Sequence, residues 1–175
     1  MEPSTIHGFV NSLPEVKLVC TGSQFRCENK PIHRLNDLPT ELITYMSQLL
    51  VEELIIITLD TSLRPINYCV IGRGTQRSCQ FSKIEIVRHC LLTGQCANVI
   101  ALHNHTSIRD VEGADKPYPS NADRRSCVAI NDMLDAVGVT LIDFGIIGPN
   151  NTLFSFAHEQ IEPFVNENTL SKVSE

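Results

Sequence analysis

The chain has 175 residues, of which 42% are hydrophobic and 19% are charged, so its composition is that of one ordinary globular domain. The formal net charge of -6 does not favour electrostatic binding to nucleic acid. The longest apolar run, Leu54–Leu59, is too short to span a membrane. The N-terminus, Met1–Val10, lacks the basic and apolar regions of a signal peptide, so we predict a cytoplasmic protein.

The cysteines are odd in number, and no C-x-x-C motif occurs. They are Cys20, Cys27, Cys69, Cys79, Cys90, Cys96 and Cys127. With no export signal, we expect reduced thiols, most of which pack as small hydrophobic side chains.

The first part of the chain predicts an N-terminal extension and then a helix. Residues 1–35 are mixed in character, with Val16–Cys20 a short predicted strand. A helix is predicted from Leu38 to Leu50 because apolar residues recur there at three- and four-residue intervals. Asp37 before Pro39 supplies its start signal. The apolar positions are Leu38, Leu42, Met46 and Leu49.

Three apolar, strand-sized runs occupy the middle of the chain. Leu54–Leu59 and Ile66–Ile71 are separated by turn residues and predict the two arms of a hairpin, which Gly72–Gly74 ends. Asn98–His103 predicts a third strand, and the polar loop Asn104–Pro119 follows it.

Two further helices are predicted from their caps. Ser82 and Glu85 form a capping-box sequence ahead of a helix that ends at Gly94. A second helix spans Ser120–Val137 and ends at Gly138. The apolar faces expected to be buried are Ile84, Val87 and Leu91 on the first helix, and Cys127, Ile130, Leu134 and Val137 on the second.

A closing hairpin is predicted from Val139–Ile147 and Thr152–Phe156 across a turn that begins at Gly148. The order helix, hairpin, helix, strand, helix, hairpin predicts an α/β fold with a mixed sheet packed by helices. We expect one domain over residues 36–158 and a flexible polar tail at 159–175.

Two histidines end the third predicted strand. Side chains two positions apart on a strand point the same way, so His103 and His105 should lie side by side while Asn104 points away. Two imidazoles on one face can form half of a tetrahedral zinc site.

The start of the last predicted helix offers a carboxylate. Ser120 can cap the helix through its hydroxyl, and Asp123 falls in the first turn, where the helix dipole favours negative charge. A plain capping arrangement explains both residues without a metal, and it is also compatible with metal ligation by Asp123.

A further carboxylate stands just before the first buried strand. Glu52 could hold and deprotonate a metal-bound water if the strand ends converge. The other interpretation is a solvated glutamate at a helix end, with Glu53 beside it.

These residues together resemble the JAMM signature of the JAB/MPN metallopeptidases, and most closely their RadC-like branch. The resemblance covers roughly residues 45–158, and several motifs in the right order make it specific. The matching motifs are Glu52 eight positions before Asp60, Gly74-Thr75, His103-Asn-His105, Pro119-Ser120-x-x-Asp123, Ile142-Asp143 with Gly148, and Ser155-Phe156.

The resemblance implies the JAB/MPN (cytidine-deaminase-like) three-layer fold, with a mainly antiparallel sheet. It implies one Zn²⁺ held by His103, His105 and Asp123, with water in the fourth position. Glu52 would be the general base and Ser120 the oxyanion donor, as in a peptidase or isopeptidase acting on a protein or peptide substrate. A homodimer is compatible with the family.

Three departures from the family pattern keep other functions open. Thr106-Ser107-Ile108 replaces the usual Pro-Ser-Gly, the loop before Ser120 is longer than usual, and Phe144 stands where the branch often has His. One alternative is therefore a catalytically inactive binding module with the same fold. Another is a role linked to DNA repair or mobile elements, as the RadC name suggests.

Overall fold

A computed structural model describes Phe25 and residues 28–75, 79–106 and 118–163, with the backbone alone for residues 160–163. The predicted strand Val16–Cys20 lies outside the described residues, as does most of the loop Asn104–Pro119.

Three α-helices and two short 3-10 helices are present in the described residues. Leu35–Asp37 is a 3-10 helix. The Asp37 carboxylate caps its N-terminal end by accepting hydrogen bonds from the backbone N–H groups of His33 and Arg34. The other helices are α1 (Thr40–Ser47), α2 (Lys83–Leu92), α3 (Asn121–Asp135) and the 3-10 turn Pro149–Asn151. Gly94 and Gly138 follow α2 and α3 with φ of 79° and 74°, a left-handed conformation that suits a glycine at a helix end.

Six strands form one sheet. They are β1 (Glu53–Leu59), β2 (Pro65–Arg73), β3 (Asn98–Asn104), β4 (Thr140–Gly148), β5 (Thr152–Ser155) and β6 (Gln160–Pro163). Their spatial order is β2-β1-β3-β4-β5-β6, and only the β3–β4 pair is parallel. The predicted mixed, mainly antiparallel sheet is therefore confirmed, whereas β6 was not predicted.

Helices cover both faces of the sheet, which gives the three layers of a JAB/MPN fold. One core lies between the sheet and α1, and the other between the sheet and the pair α2 and α3. The first core includes Leu38, Leu42, Ile43, Met46, Ile55, Ile57, Ile100, Leu102 and Ile147. The second includes Leu54, Ile56, Ile86, Cys90, Ala101, Ile130, Leu134, Phe144 and Ile146.

The predicted buried face of α2 is wrong. Ile84 and Leu91 are 59% and 61% exposed, and the helix instead buries Ile86, His89 and Cys90. Both sets have helical spacing, and His89 can face inward because Asn67 on β2 supplies a hydrogen-bond partner. The Ser82 side chain also forms no cap hydrogen bond, so the predicted capping box of α2 does not form.

The predicted face of the last helix is partly right. Ile130 and Leu134 are fully buried, Cys127 is half-buried, and Val137 is 37% exposed because it lies beyond the end of α3. The first helix is also shorter than predicted, since α1 begins after Pro39 and ends at Ser47. Within the described part of the chain, no helix combines the length and apolar character needed to cross a membrane.

The register brings three strand ends to one edge of the sheet. β1 and β3 are antiparallel, so the start of β1 meets the end of β3 at the pair Leu54 and His103. β3 and β4 are parallel, and His103 also pairs with Ile146 near the end of β4. Residues that precede β1 or follow β3 therefore meet at this edge.

Candidate metal centre

The paired histidines lie side by side at the end of β3. His103 belongs to the strand, and the backbone N–H of His105 donates to the carbonyl of Ile147 (2.8 Å), which continues the ladder with β4. The two rings lie 5.2 Å apart at an interplanar angle of 83°. Both imidazoles thus face one region beyond the sheet edge, as the alternation of a strand predicts.

A buried hydrogen bond fixes the orientation of one imidazole. His103 Nδ1 lies 2.9 Å from the carbonyl oxygen of Glu53. Because a carbonyl oxygen can only accept, Nδ1 is the donor, and in a neutral ring Nε2 then carries a lone pair. Metal-ligating histidines are commonly oriented by a hydrogen bond of this kind through the second ring nitrogen.

Asp123 joins the two histidines from the first turn of α3. A full capping box forms: Ser120 Oγ accepts from the Asp123 N–H (3.2 Å), and Asp123 Oδ2 accepts from the Ser120 N–H (2.7 Å). The same carboxylate lies 3.3 Å from His105 Nε2 and 3.8 Å from His103 Nε2. The capping and ligand interpretations of Asp123 are thus compatible in one geometry.

Glu52 completes the group from the segment before β1. Its Oε2 lies 3.7 Å from His103 Nε2, and its side chain is 13% exposed, so it is not a solvated glutamate at a helix end. The ligand atoms of Glu52, His103 and His105 lie within 4.8 Å of one another, an arrangement that could hold a metal ion.

The backbone of Glu52 is held by the Gly-Thr motif. The N–H of Glu52 donates to the carbonyl of Thr75 (2.9 Å), and the N–H of Gly74 donates to the carbonyl of Glu52 (2.8 Å). These bonds continue the β1–β2 ladder past Arg73, which explains the position of Gly74-Thr75 in the sequence pattern.

Asn104 is a positioning residue that the sequence analysis did not identify. It is fully buried and points away from the histidines, as predicted. Its Oδ1 accepts from the N–H of Glu53 (2.7 Å), and its Nδ2 donates to the carbonyl of Val51 (3.1 Å). Asn104 therefore binds both neighbours of Glu52. A buried asparagine at a strand end needs such partners, and that requirement was the available signal.

Glu53 was also missed as a structural residue. Its side chain is fully buried, pairs with the Arg73 guanidinium and accepts a hydrogen bond from the Tyr45 hydroxyl (3.2 Å). Since the Glu53 carbonyl holds His103 and its N–H is held by Asn104, this residue links the start of β1 to the end of β3.

The pKa values of His103 and Asp123 are both lowered in the site. Burial lowers the pKa of His103, despite the nearby Asp123 carboxylate, so the imidazole is neutral at neutral pH. Burial alone would raise the pKa of Asp123, but hydrogen bonds with His105 and Ser120 outweigh it and lower that pKa to about 2. A neutral His103 Nε2 lone pair therefore faces two carboxylates, which is an arrangement that a cation would stabilise.

The distances also suit a metal. Ligand atoms bonded to one zinc at about 2.0–2.2 Å in a tetrahedron lie roughly 3.3–3.6 Å apart. His105 Nε2 lies 3.3 Å from Asp123 Oδ2, and His103 Nε2 lies 3.8 Å from Asp123 Oδ1 and 3.7 Å from Glu52 Oε2, so each pair is close to that range. The residues present thus fit a divalent ion in chemistry and in spacing.

A cysteine borders the site without being poised to react. Burial raises the pKa of the Cys79 thiol to about 11, with the charge of Glu52 adding to the shift. A thiol of this kind is a weak nucleophile, which agrees with the expectation that most cysteines here only pack. The five described cysteines, Cys69, Cys79, Cys90, Cys96 and Cys127, are free.

Comparison with known proteins gives one family. Residues 33–161 match the family described as the RadC-like JAB domain. Similar proteins include the UPF0758 protein of Psychrobacter cryohalolentis (30% identity, 62% of this chain and 44% of that protein). Others come from Shewanella pealeana (32% identity, 66% and 48%) and Burkholderia cenocepacia (36%, 61% and 38%). The matched segment thus spans less than half the length of each of these relatives.

Proposed function

Because the chain belongs to the RadC-like JAB domain family, we propose that it is a zinc-dependent metallohydrolase that cleaves an amide bond. Support comes above all from one observation: His103 Nε2, turned by the Glu53 carbonyl, faces the carboxylates of Glu52 and Asp123. A divalent cation is the group that this set of acceptors would bind.

In this proposal His103, His105 and Asp123 hold the zinc. Asp123 is taken as the third ligand from the family pattern, and its two oxygens lie 3.3 Å from His105 Nε2 and 3.8 Å from His103 Nε2. Glu52 also lies within 4.8 Å of both imidazoles, and the family pattern gives it the proton-transfer role. When bound, zinc acts as a Lewis acid and makes hydroxide available near neutral pH.

The remaining residues handle protons and charge. Glu52 takes a proton from the attacking water and passes it to the leaving amine, the usual task of a general base followed by a general acid. The Ser120 hydroxyl donates to the oxygen that becomes negative as the amide carbon becomes tetrahedral. The capping bond leaves that role open, because it uses Ser120 Oγ as an acceptor and the hydroxyl still carries a proton.

The proposed substrate class rests on the amide bond that the proposed reaction would cleave. It does not rest on any contact in the site. We propose a protein or peptide whose peptide or isopeptide bond reaches the sheet edge. A generic probe is therefore appropriate: a library of short fluorogenic peptides, together with a lysine isopeptide.

The test compares zinc-loaded wild type with Glu52→Gln. We expect the variant to bind zinc as wild type does but to hydrolyse the probes at least about 100-fold more slowly, because general acid–base catalysis contributes at least that much. Equal rates in the two proteins would contradict the role of Glu52. A zinc-loaded wild type that cleaves no probe would favour the second candidate below.

The second candidate is a catalytically inactive binding module with the same fold. It is favoured by Thr106, which follows His105 where the family usually has proline. Such a protein would retain the metal and lack turnover, a combination that the same assay distinguishes.

A further inference from the structure

An ion pair between Arg73 and Glu53 lies at the end of the β1–β2 ladder that borders the candidate site. Arg73 is the last residue of β2 and lies opposite Glu53, the first residue of β1. The Glu53 side chain is 1% exposed, whereas that of Arg73 is 64% exposed. The guanidinium donates to one carboxylate oxygen, and the Tyr45 hydroxyl donates to the other (3.2 Å). Loss of Arg73 would therefore leave a buried carboxylate without its counter-charge.

A β-bulge separates this end of the ladder from the rest. Gly72 and Val70 face consecutive residues of β1, so the register skips one residue of β2. A bulge interrupts the ladder locally. Two residue pairs of the ladder lie beyond it, and in one of them Gly72 has no side chain. The other pair, Glu53 with Arg73, therefore supplies the side-chain contact directly across this short stretch.

The backbone next to the ion pair holds Glu52. The two residues that follow Arg73, Gly74-Thr75, bind the Glu52 backbone through hydrogen bonds of 2.8 and 2.9 Å. Glu53 has a second anchor, because its N–H donates to the Asn104 side chain (2.7 Å). Loss of the ion pair should therefore act on the position of Glu52 more than on that of Glu53.

We propose that Arg73 is a positioning residue for Glu52 and acts through its ion pair with Glu53. The ion pair holds the stretch beyond the bulge in register, so that Gly74-Thr75 stays bound to the Glu52 backbone. The Glu52 carboxylate is thereby kept 3.7 Å from His103 Nε2. This inference rests on the proposed role of Glu52 in proton transfer, but the position of Glu52 can be measured without hydrolysis.

Amide hydrogen exchange, resolved by residue with NMR, tests the position directly. In Arg73→Ala, exchange of the Glu52 and Gly74 amides should rise at least about 10-fold, because both are donors in the bonds that the ion pair holds in place. In Arg73→Lys, which can still pair with Glu53, exchange should stay near the wild-type rate. The matched control is Arg64→Ala, which removes an exposed arginine just before the other end of β2. Amides of β4 should stay protected in every folded variant.

A double variant covers the case in which Arg73→Ala does not fold. Glu53→Gln with Arg73→Ala removes the buried charge together with its partner, and it should show the same rise in exchange. Wild-type exchange of the Glu52 and Gly74 amides in either folded variant would overturn the proposal.

Hydrolysis of the fluorogenic peptides gives the second readout. Zinc-loaded Arg73→Ala should have a kcat at least about 10-fold below that of wild type at an unchanged KM, because a misplaced catalytic group slows the reaction without weakening substrate binding. Arg73→Lys should restore most of the rate, and zinc affinity should stay close to that of wild type in both variants.

The two readouts distinguish the possible failures. Faster exchange at a wild-type kcat would limit Arg73 to a structural role and contradict the inference. If zinc-loaded wild type cleaves no probe, the proposed hydrolase function fails, whereas the exchange rates still decide whether Arg73 positions Glu52.

Discussion

Two buried polar clusters, each containing a histidine, differ in how their donors and acceptors are matched. The β2–α2 cluster consists of Thr58, Asn67, His89 and Thr93. The metal-site cluster consists of Glu52, His103, His105 and Asp123.

The β2–α2 cluster is complete by itself. Thr58 Oγ1 and His89 Nε2 both lie within 2.9 Å of Asn67 Oδ1, and an amide oxygen can only accept, so both donate. Asn67 Nδ2 then donates to Thr93 Oγ1, whose hydroxyl donates to the carbonyl of His89. Each of these hydrogen bonds joins a donor to an acceptor, so a structural role accounts for this histidine.

In the metal-site cluster, carboxylate oxygens of Glu52 and Asp123 lie 3.7 and 3.8 Å from His103 Nε2, while His103 Nδ1 already donates to the Glu53 carbonyl. The two histidines therefore differ in what surrounds Nε2: two carboxylates for His103 and one amide oxygen for His89. Burial alone does not distinguish them. Substitutions in the metal-site cluster should alter metal binding. Substitutions in the β2–α2 cluster should alter the stability of the fold and leave metal binding unchanged.

The largest effect is expected for Asp123→Asn. The amide oxygen can still cap α3, but the site loses a negative charge, so zinc affinity should fall at least about 100-fold. Competition with a fluorescent zinc chelator measures this. The matched control is Asn67→Ala in the β2–α2 cluster, and an Asp123→Asn protein with wild-type affinity would contradict the proposed ligand set.

Metal removal should have the next largest effect. Zinc at about 100 times its Kd stabilises a folded protein by about 2.7 kcal/mol, provided that it does not bind the unfolded chain. Urea unfolding with zinc and with a chelator should therefore differ by about this amount in wild type and in Asn67→Ala. It should differ little in Asp123→Asn, and an equal difference in all three proteins would point to zinc bound elsewhere.

Asn104→Ala should lower both the stability of the fold and the rate of probe hydrolysis. It leaves the carbonyl of Val51 and the N–H of Glu53 without their buried partner, which costs about 1–3 kcal/mol for each group. Because Glu52 lies between them, probe hydrolysis should also fall while zinc remains bound. Loss of stability at an unchanged turnover number would limit Asn104 to a structural role.

The smallest effect is expected for His89→Ala. It removes one hydrogen bond and some packing in the β2–α2 cluster, so we expect a loss of about 1–2 kcal/mol in the free energy of unfolding. Zinc affinity should not change. An altered affinity would show that the two clusters are coupled through β1 and β3.

Local signals in the sequence predicted much of the fold. The run Leu54–Leu59 gave β1 to within one residue, and Ser120 with Gly138 gave both ends of the last helix closely. These signals work because burial, capping and positive φ depend on the residues concerned and their near neighbours.

Features set by distant residues could not be predicted in this way. The inward face of α2 depends on Asn67 pairing with His89, 22 positions away in the chain. The burial of Glu53 depends on Arg73 and Tyr45, and the strand β6 depends on the edge that β5 offers. Within the candidate site, the pattern indicated which side chains could converge, but not that Asn104 holds the segment around Glu52.

The most direct test is the zinc content of three purified proteins after dialysis, measured by elemental analysis. We predict one zinc per chain in wild type, one in His89→Ala, and none in His105→Ala at comparable folded content by circular dichroism. Zinc retained at full stoichiometry in folded His105→Ala, or absent from wild type supplied with zinc, would contradict a metal centre at the end of β3.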